Sequence, residues 1–92
     1  MLEKDIEAYL VWTVARMEGV TFKFKSPTQR GVADRIVCLP NGQTWFVELK
    51  KKGGRLSPLQ TQFAINMAAL GQRYACLWSR GEIDAWARET EL

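Results

Sequence analysis

From about Leu2 to Glu18 the apolar positions Ile6, Leu10, Val14 and Met17 recur at helical spacing, and Gly19 then supplies a stop. Val20 to Lys25 alternates instead, with Val20, Phe22 and Phe24 on one side and Thr21, Lys23 and Lys25 on the other. That pattern predicts a half-exposed strand with a basic face. Ser26 to Gly31 is a polar loop, marked by its proline and glycine. A second strand is expected over roughly Ala33 to Leu39 and a third from about Gln43 to Lys50. Lys51-Lys52-Gly53-Gly54-Arg55 reads as a basic, flexible connector. The second helix opens with Ser57 as N-cap, Pro58 in the first helical position and Gln60 three residues after the cap, and closes at Gly71. Its apolar stripe is Leu59, Phe63, Met67 and Leu70. Arg73 to Trp78 is a fourth strand and Gly81 to Arg88 a short terminal helix; no internal repeat is visible.

Between the second and third strands, Pro40-Asn41-Gly42 suits a three-residue hairpin loop: a type I turn followed by glycine in the left-handed conformation of a G1 bulge. In that register Asp34 lies directly opposite Glu48, with the two side chains on one face about 5 Å apart. Lys50 joins them two residues along the strand. A two-residue Asn-Gly turn would instead send the carboxylates to opposite faces. Ile36, Cys38 and Phe46 fall on one face of this hairpin, and Val37, Leu39, Trp45, Val47 and Leu49 on the other. Apolar residues on both faces imply a sheet covered by helices on both sides. The expected fold is a small three-layer α/β domain with element order αβββαβ(α).

Composition narrows the chemistry. A chain of 92 residues, 47% hydrophobic and 25% charged, fits one globular domain over residues 1–92. No apolar run approaches the roughly 20 residues that cross a bilayer. The acidic start MLEKDIEAYL does not resemble a signal peptide, so a cytoplasmic protein without a membrane partner is expected. Cys38 and Cys76 lie in apolar runs without metal-ligand spacing and read as buried thiols. There is no histidine, which excludes Ser/His/Asp and Cys/His triads and the common zinc sites. Chemistry is left to carboxylates, lysine and a hard, oxygen-seeking cation. Net charge is only +3, but between residues 21 and 55 eight lysines and arginines stand against two acids, Asp34 and Glu48.

Two opposed acids repel each other and call for something positive between them. Mg²⁺ or Mn²⁺, held by two carboxylates, one backbone carbonyl and water, would meet that need. On spacing alone the alternative stands equally: Asp34 as a strand-edge cap, with Glu48 and Lys50 a solvated pair. Glu3 heads the buried stripe of the first helix, where it would reach the carboxylate pair and hold a metal-bound water; Glu7 lies farther round. Glu3, Asp5 and Glu7 also suit the positive end of the helix dipole.

Gly31-Val32-Ala33-Asp34 followed by Glu48-Leu49-Lys50 resembles the D…(D/E)xK signature of the PD-(D/E)xK nuclease superfamily. With the acid-led first helix before it and GGRLSPLQ (residues 53–60) after it, the chain is similar to the VRR-NUC family from end to end. The resemblance implies a restriction-endonuclease-like core with a mixed sheet and a metal-dependent endonuclease activity leaving 5′-phosphate and 3′-hydroxyl ends. Asp34 and Glu48 match the metal-binding acids, the Leu49 carbonyl the third protein ligand and Lys50 the lysine that positions water. Glu3 matches the helix-one acid, with Glu7 as fallback, and Gln60 the glutamine beside the site, although a capping box alone would also account for Gln60. The family commonly has proline before the aspartate; here it is Ala33, which removes stiffness and no chemical group. No small-molecule cofactor is implied beyond Mg²⁺ or Mn²⁺.

Lys23, Lys25, Arg30, Lys51, Lys52 and Arg55 are expected to grip phosphates without reading bases. Stand-alone members of the resembled family are thought to act as homodimers on branched DNA such as four-way (Holliday) junctions, in a phage or prophage setting. Tyr9, Trp12 and Trp86 are candidates for a dimer surface, for base stacking or for satellite core packing. Two rival readings are a catalytically silent nucleic-acid-binding module and a sequence-specific restriction-type nuclease.

Overall fold

A computed structural model describes residues 2–91. The chain runs α1 (Glu3–Arg16), β1 (Val20–Lys23), β2 (Arg35–Cys38), β3 (Thr44–Leu49), α2 (Pro58–Ala69), β4 (Arg73–Leu77) and α3 (Arg80–Thr90). This is the expected order. The strands form one mixed sheet in the order β1-β2-β3-β4, antiparallel except for the parallel pair β3 and β4. A parallel pair needs a crossover, and α2 lies within it.

The hairpin forms with the three-residue loop. Gly42 N–H donates to the Leu39 carbonyl at 3.0 Å, Leu39 N–H to the Gln43 carbonyl at 2.9 Å, and Gly42 has φ of 84°. Ile36 therefore pairs with Phe46 and Arg35 with Val47, the register that sets Asp34 across from Glu48. The side-chain amides of Asn41 and Gln43 both donate to the Thr90 carbonyl, at 2.8 and 3.0 Å, tying the loop to the last turn of α3.

Helix ends follow local chemistry. Asp5 accepts from the N–H of Leu2 at the start of α1. Ser57 and Gln60 form the reciprocal capping box of α2, with bonds of 3.1 and 2.8 Å. α2 ends in a Schellman motif with Gly71 left-handed, at φ 70°. At the end of α1 the left-handed position falls on Glu18, at φ 64°, one residue before the expected stop. Gly19 is needed for a different reason: a Cβ there would stand 2.6 Å from the Cys38 carbonyl oxygen.

The two sheet faces are covered unequally. Ile6, Leu10 and Val14 of α1 and Ile83, Trp86 and Ala87 of α3 pack with Val37, Val47, Leu49 and Leu77 into one buried core. On the opposite face Phe24, Phe46, Phe63 and Tyr74 form a chain of tilted and edge-on ring contacts beneath α2, all half-buried. No residue of α2 is fully buried. Its expected stripe is correspondingly broken, with Phe63 and Met67 half-buried and Leu59 and Leu70 exposed. The outer end of the face is open too: Phe22, on the apolar side of β1, is 58% exposed. Cys38 and Cys76 are free thiols, half-buried rather than buried.

Candidate active site

Asp34 immediately precedes β2, and its carboxylate turns onto β3: Oδ2 accepts the Leu49 backbone N–H at 2.8 Å. Its own carbonyl takes the Phe24 N–H at 2.9 Å, which extends the β1–β2 ladder to the site. Glu48, opposite it, is only 1% exposed. The Lys50 ammonium lies 3.7 Å from Glu48 Oε2, and Gln60 Nε2 donates to the same oxygen at 3.4 Å. Gln60 thus combines the two roles read from sequence, since its Oε1 caps α2 while its amide nitrogen faces Glu48.

Burial pushes the Glu48 carboxyl up to about 8, and the neighbouring Asp34 adds to the rise through a hydrogen bond and its charge. Lys50 pulls in the other direction, and Glu3 contributes a further upward push. The pair is thus accommodated with a proton on Glu48, and ionising both acids against the single Lys50 ammonium would leave negative charge uncompensated unless a cation joined them. The donor set is all oxygen, which suits a hard divalent cation. Among the described residues no group of three or more His, Cys, Asp or Glu is arranged to hold a metal ion. A cation here would therefore take Asp34 and Glu48, with the Leu49 carbonyl and water completing the shell.

Beside the pair is a pocket of about 240 Å³ lined by Glu3, Glu7, Lys23, Phe24, Lys25, Asp34 and Leu49. The first helix, the first strand and the start of the second thus converge at one end of the sheet. The two helix-one acids differ in their partners. Glu7 Oε2 is held at 3.0 Å by Arg35 Nε, a residue that sequence reasoning passed over although it follows Asp34 directly. Glu3 makes no salt bridge or side-chain hydrogen bond among the described residues. Lys51, Lys52 and Arg55 are exposed in the connector after Lys50, and Arg30 is exposed in the loop before Gly31; none of these four lines the pocket.

The aromatic candidates separate. Trp86 is 4% exposed and packs edge-on against Trp45 at 5.8 Å, so it belongs to the core. Trp12 is 52% exposed, next to Tyr9 at 5.6 Å and beneath the Arg16 guanidinium at 4.6 Å. Tyr9 donates its hydroxyl to Asp84 at 2.7 Å and lies under Arg80.

A mixed sheet between helical layers, carrying an aspartate, a glutamate and a lysine at one end, defines a restriction-endonuclease-like domain with the D…ExK arrangement. A solved structure of a VRR_NUC domain superposes with a TM-score of 0.86 over 90% of each chain, at 24% identity. In sequence the chain is 42% identical over 78 residues to the "Putative nuclease p44" of Acyrthosiphon pisum secondary endosymbiont phage 1, covering 85% of this chain and 84% of that protein. No family model matches. The chain belongs to the same family as this phage protein, and its fold is that of a VRR_NUC domain.

Proposed function

We propose that this chain is a nuclease, specifically a Mg²⁺- or Mn²⁺-dependent endodeoxyribonuclease that cuts branched DNA such as four-way junctions and works as a homodimer. The buried Glu48 carboxyl, opposed to Asp34 with Lys50 3.7 Å away, carries the reading. In it Asp34, Glu48 and the Leu49 carbonyl hold the cation, and Glu3 orients a water from the pocket side. A bound divalent cation supplies Lewis-acid polarisation of a phosphate oxygen and lowers the pKa of water. Lys50 positions the attacking water and offsets the charge that grows on the phosphate. Attack at phosphorus breaks the bond to the 3′ oxygen, leaving a 5′-phosphate and a 3′-hydroxyl. Gln60 steadies Glu48 from the first turn of α2. The Arg35 bond to Glu7 supports Glu3, rather than Glu7, as the helix-one acid.

Lys23, Lys25, Arg30, Lys51, Lys52 and Arg55 grip the backbone by charge, which favours recognition of shape over sequence. Exposed Phe22, Leu59, Ile65 and Leu70 support assembly with a second copy. A cytoplasmic setting, in a bacterial cell or a phage-infected host, goes with this substrate. The test is cleavage of an end-labelled four-way junction and a linear duplex of matched arms, with Mg²⁺, Mn²⁺ or EDTA, beside Lys50→Ala. Metal-dependent paired nicks near the branch point, absent from the Lys50→Ala protein, are expected. Binding without cutting under every metal would leave a DNA-binding module. Discrete cuts in the linear duplex would indicate a restriction-type nuclease.

A further inference from the structure

The connector after Lys50 is not slack. Gly54 N–H donates to the Lys51 carbonyl at 2.8 Å, closing a tight turn, and Gly53 at its third position has φ of 82°. A Cβ on Gly54 would stand 3.0 Å from the Lys51 carbonyl oxygen. Two adjacent glycines give a turn little intrinsic rigidity, so a fastening from outside has a large effect on where its lysines sit.

That fastening is Trp78. Its indole N–H donates to the Gly54 carbonyl at 3.2 Å, and the ring is half-buried. Trp78 follows Leu77, which pairs with Leu49 in the parallel ladder, and Lys50 N–H donates to the Leu77 carbonyl at 3.1 Å. Trp78 therefore continues β4 alongside Lys50, on the sheet face that carries Glu48. Its own backbone is held in turn, because its N–H donates to Glu82 Oε1 at 3.3 Å in the first turn of α3. The β4–α3 junction thus reaches across to the basic turn that follows Lys50.

We infer that Trp78 is a positioning residue for substrate: it sets the Lys51–Lys52 turn at a fixed offset from Lys50, so that neighbouring phosphates are gripped while the scissile one faces the acids. The inference rests on the nuclease reading above. It assigns Trp78 no chemistry at phosphorus, so its loss acts on binding and leaves the bound complex competent.

The experiment compares the parent, Trp78→Phe, Lys51→Ala/Lys52→Ala and the triple variant as full chains. Binding to a labelled four-way junction is read by anisotropy in Ca²⁺ across a salt series, and cleavage by single turnover at saturating DNA in Mg²⁺. Trp78→Phe keeps an aromatic ring and removes the donor together with the pyrrole half of the indole. It is expected to weaken binding about five-fold, the scale of one neutral hydrogen bond, with the single-turnover rate changed by less than about two-fold. The salt slope is expected to flatten, and the substitution to have no further effect once both lysines are gone. Hydrogen exchange over residues 51–55 gives a readout that needs no DNA, and these amides are expected to exchange faster in Trp78→Phe. An equal loss in the lysine-free background, unchanged affinity, or unchanged exchange would overturn the inference. Absence of DNA binding by the parent overturns the nuclease reading and this inference with it, whereas a parent that binds and a Trp78→Phe protein that matches it overturn only the role of Trp78.

Discussion

Replacing Glu48 with glutamine tests the electrostatics of the site without DNA. The folded protein raises this carboxyl from an ordinary value near 4.5 to about 8, chiefly by burial. Between those values the native state holds a proton that the unfolded chain has released, so stability falls as pH rises through the window. The penalty is absent below about 4.5 and complete above about 8; at 1.36 kcal/mol per pH unit it reaches on the order of 5 kcal/mol. Glutamine has the same shape and never ionises. Glu48→Gln is therefore expected to be clearly more stable than the parent at pH 8.5 in EDTA, and to lose most of that advantage at pH 5. Urea unfolding of both proteins at the two pH values reads the difference, and titrating groups that do not interact with Glu48 cancel between them. Mg²⁺ at pH 8.5 is expected to raise the midpoint of the parent and not of the variant. A gap between the proteins that does not change with pH would refute the reasoning.

Two further outcomes separate roles within the fold. Glu3→Gln is expected to slow metal-dependent cleavage about ten-fold or more, whereas Glu7→Gln, which breaks the bond to Arg35, should act mainly on stability, by ~1 kcal/mol in urea; a larger catalytic loss in Glu7→Gln would reverse the assignment of the helix-one acid. Leu10→Ala empties a fully buried position in the α1–α3 core and is expected to lower unfolding free energy by about 2–5 kcal/mol, and a loss below about 1 kcal/mol in urea would contradict the core described.

What could be read from sequence was what local chemistry decides. Pro40-Asn41-Gly42 suits a three-residue loop better than a two-residue Asn-Gly turn, and only the first, which forms, places Asp34 across from Glu48. Ser57, Pro58 and Gln60 mark the start of α2 in the same way. Periodicity could not show how deeply a layer is buried: the stripe of α2 has the right spacing, yet Leu59 and Leu70 remain more than half exposed. Trp86, left open between a surface role and satellite core packing, goes to the core, where it meets Trp45 edge-on beneath α3. Arg35 and Trp78 escaped notice because their partners, Glu7 and Gly54, lie 28 and 24 residues away, beyond any local pattern.

The unequal covering of the sheet also divides the molecule mechanically. The face sealed by α1 and α3 holds the buried core, whereas α2 contributes no fully buried side chain. Opening free energy follows such differences in burial, so the amides of α2 are expected to exchange faster than those of α1 and β3. Gln60 sits in the first turn of α2, so opening of that helix would take its amide from Glu48 Oε2 and admit water to that side of the carboxyl.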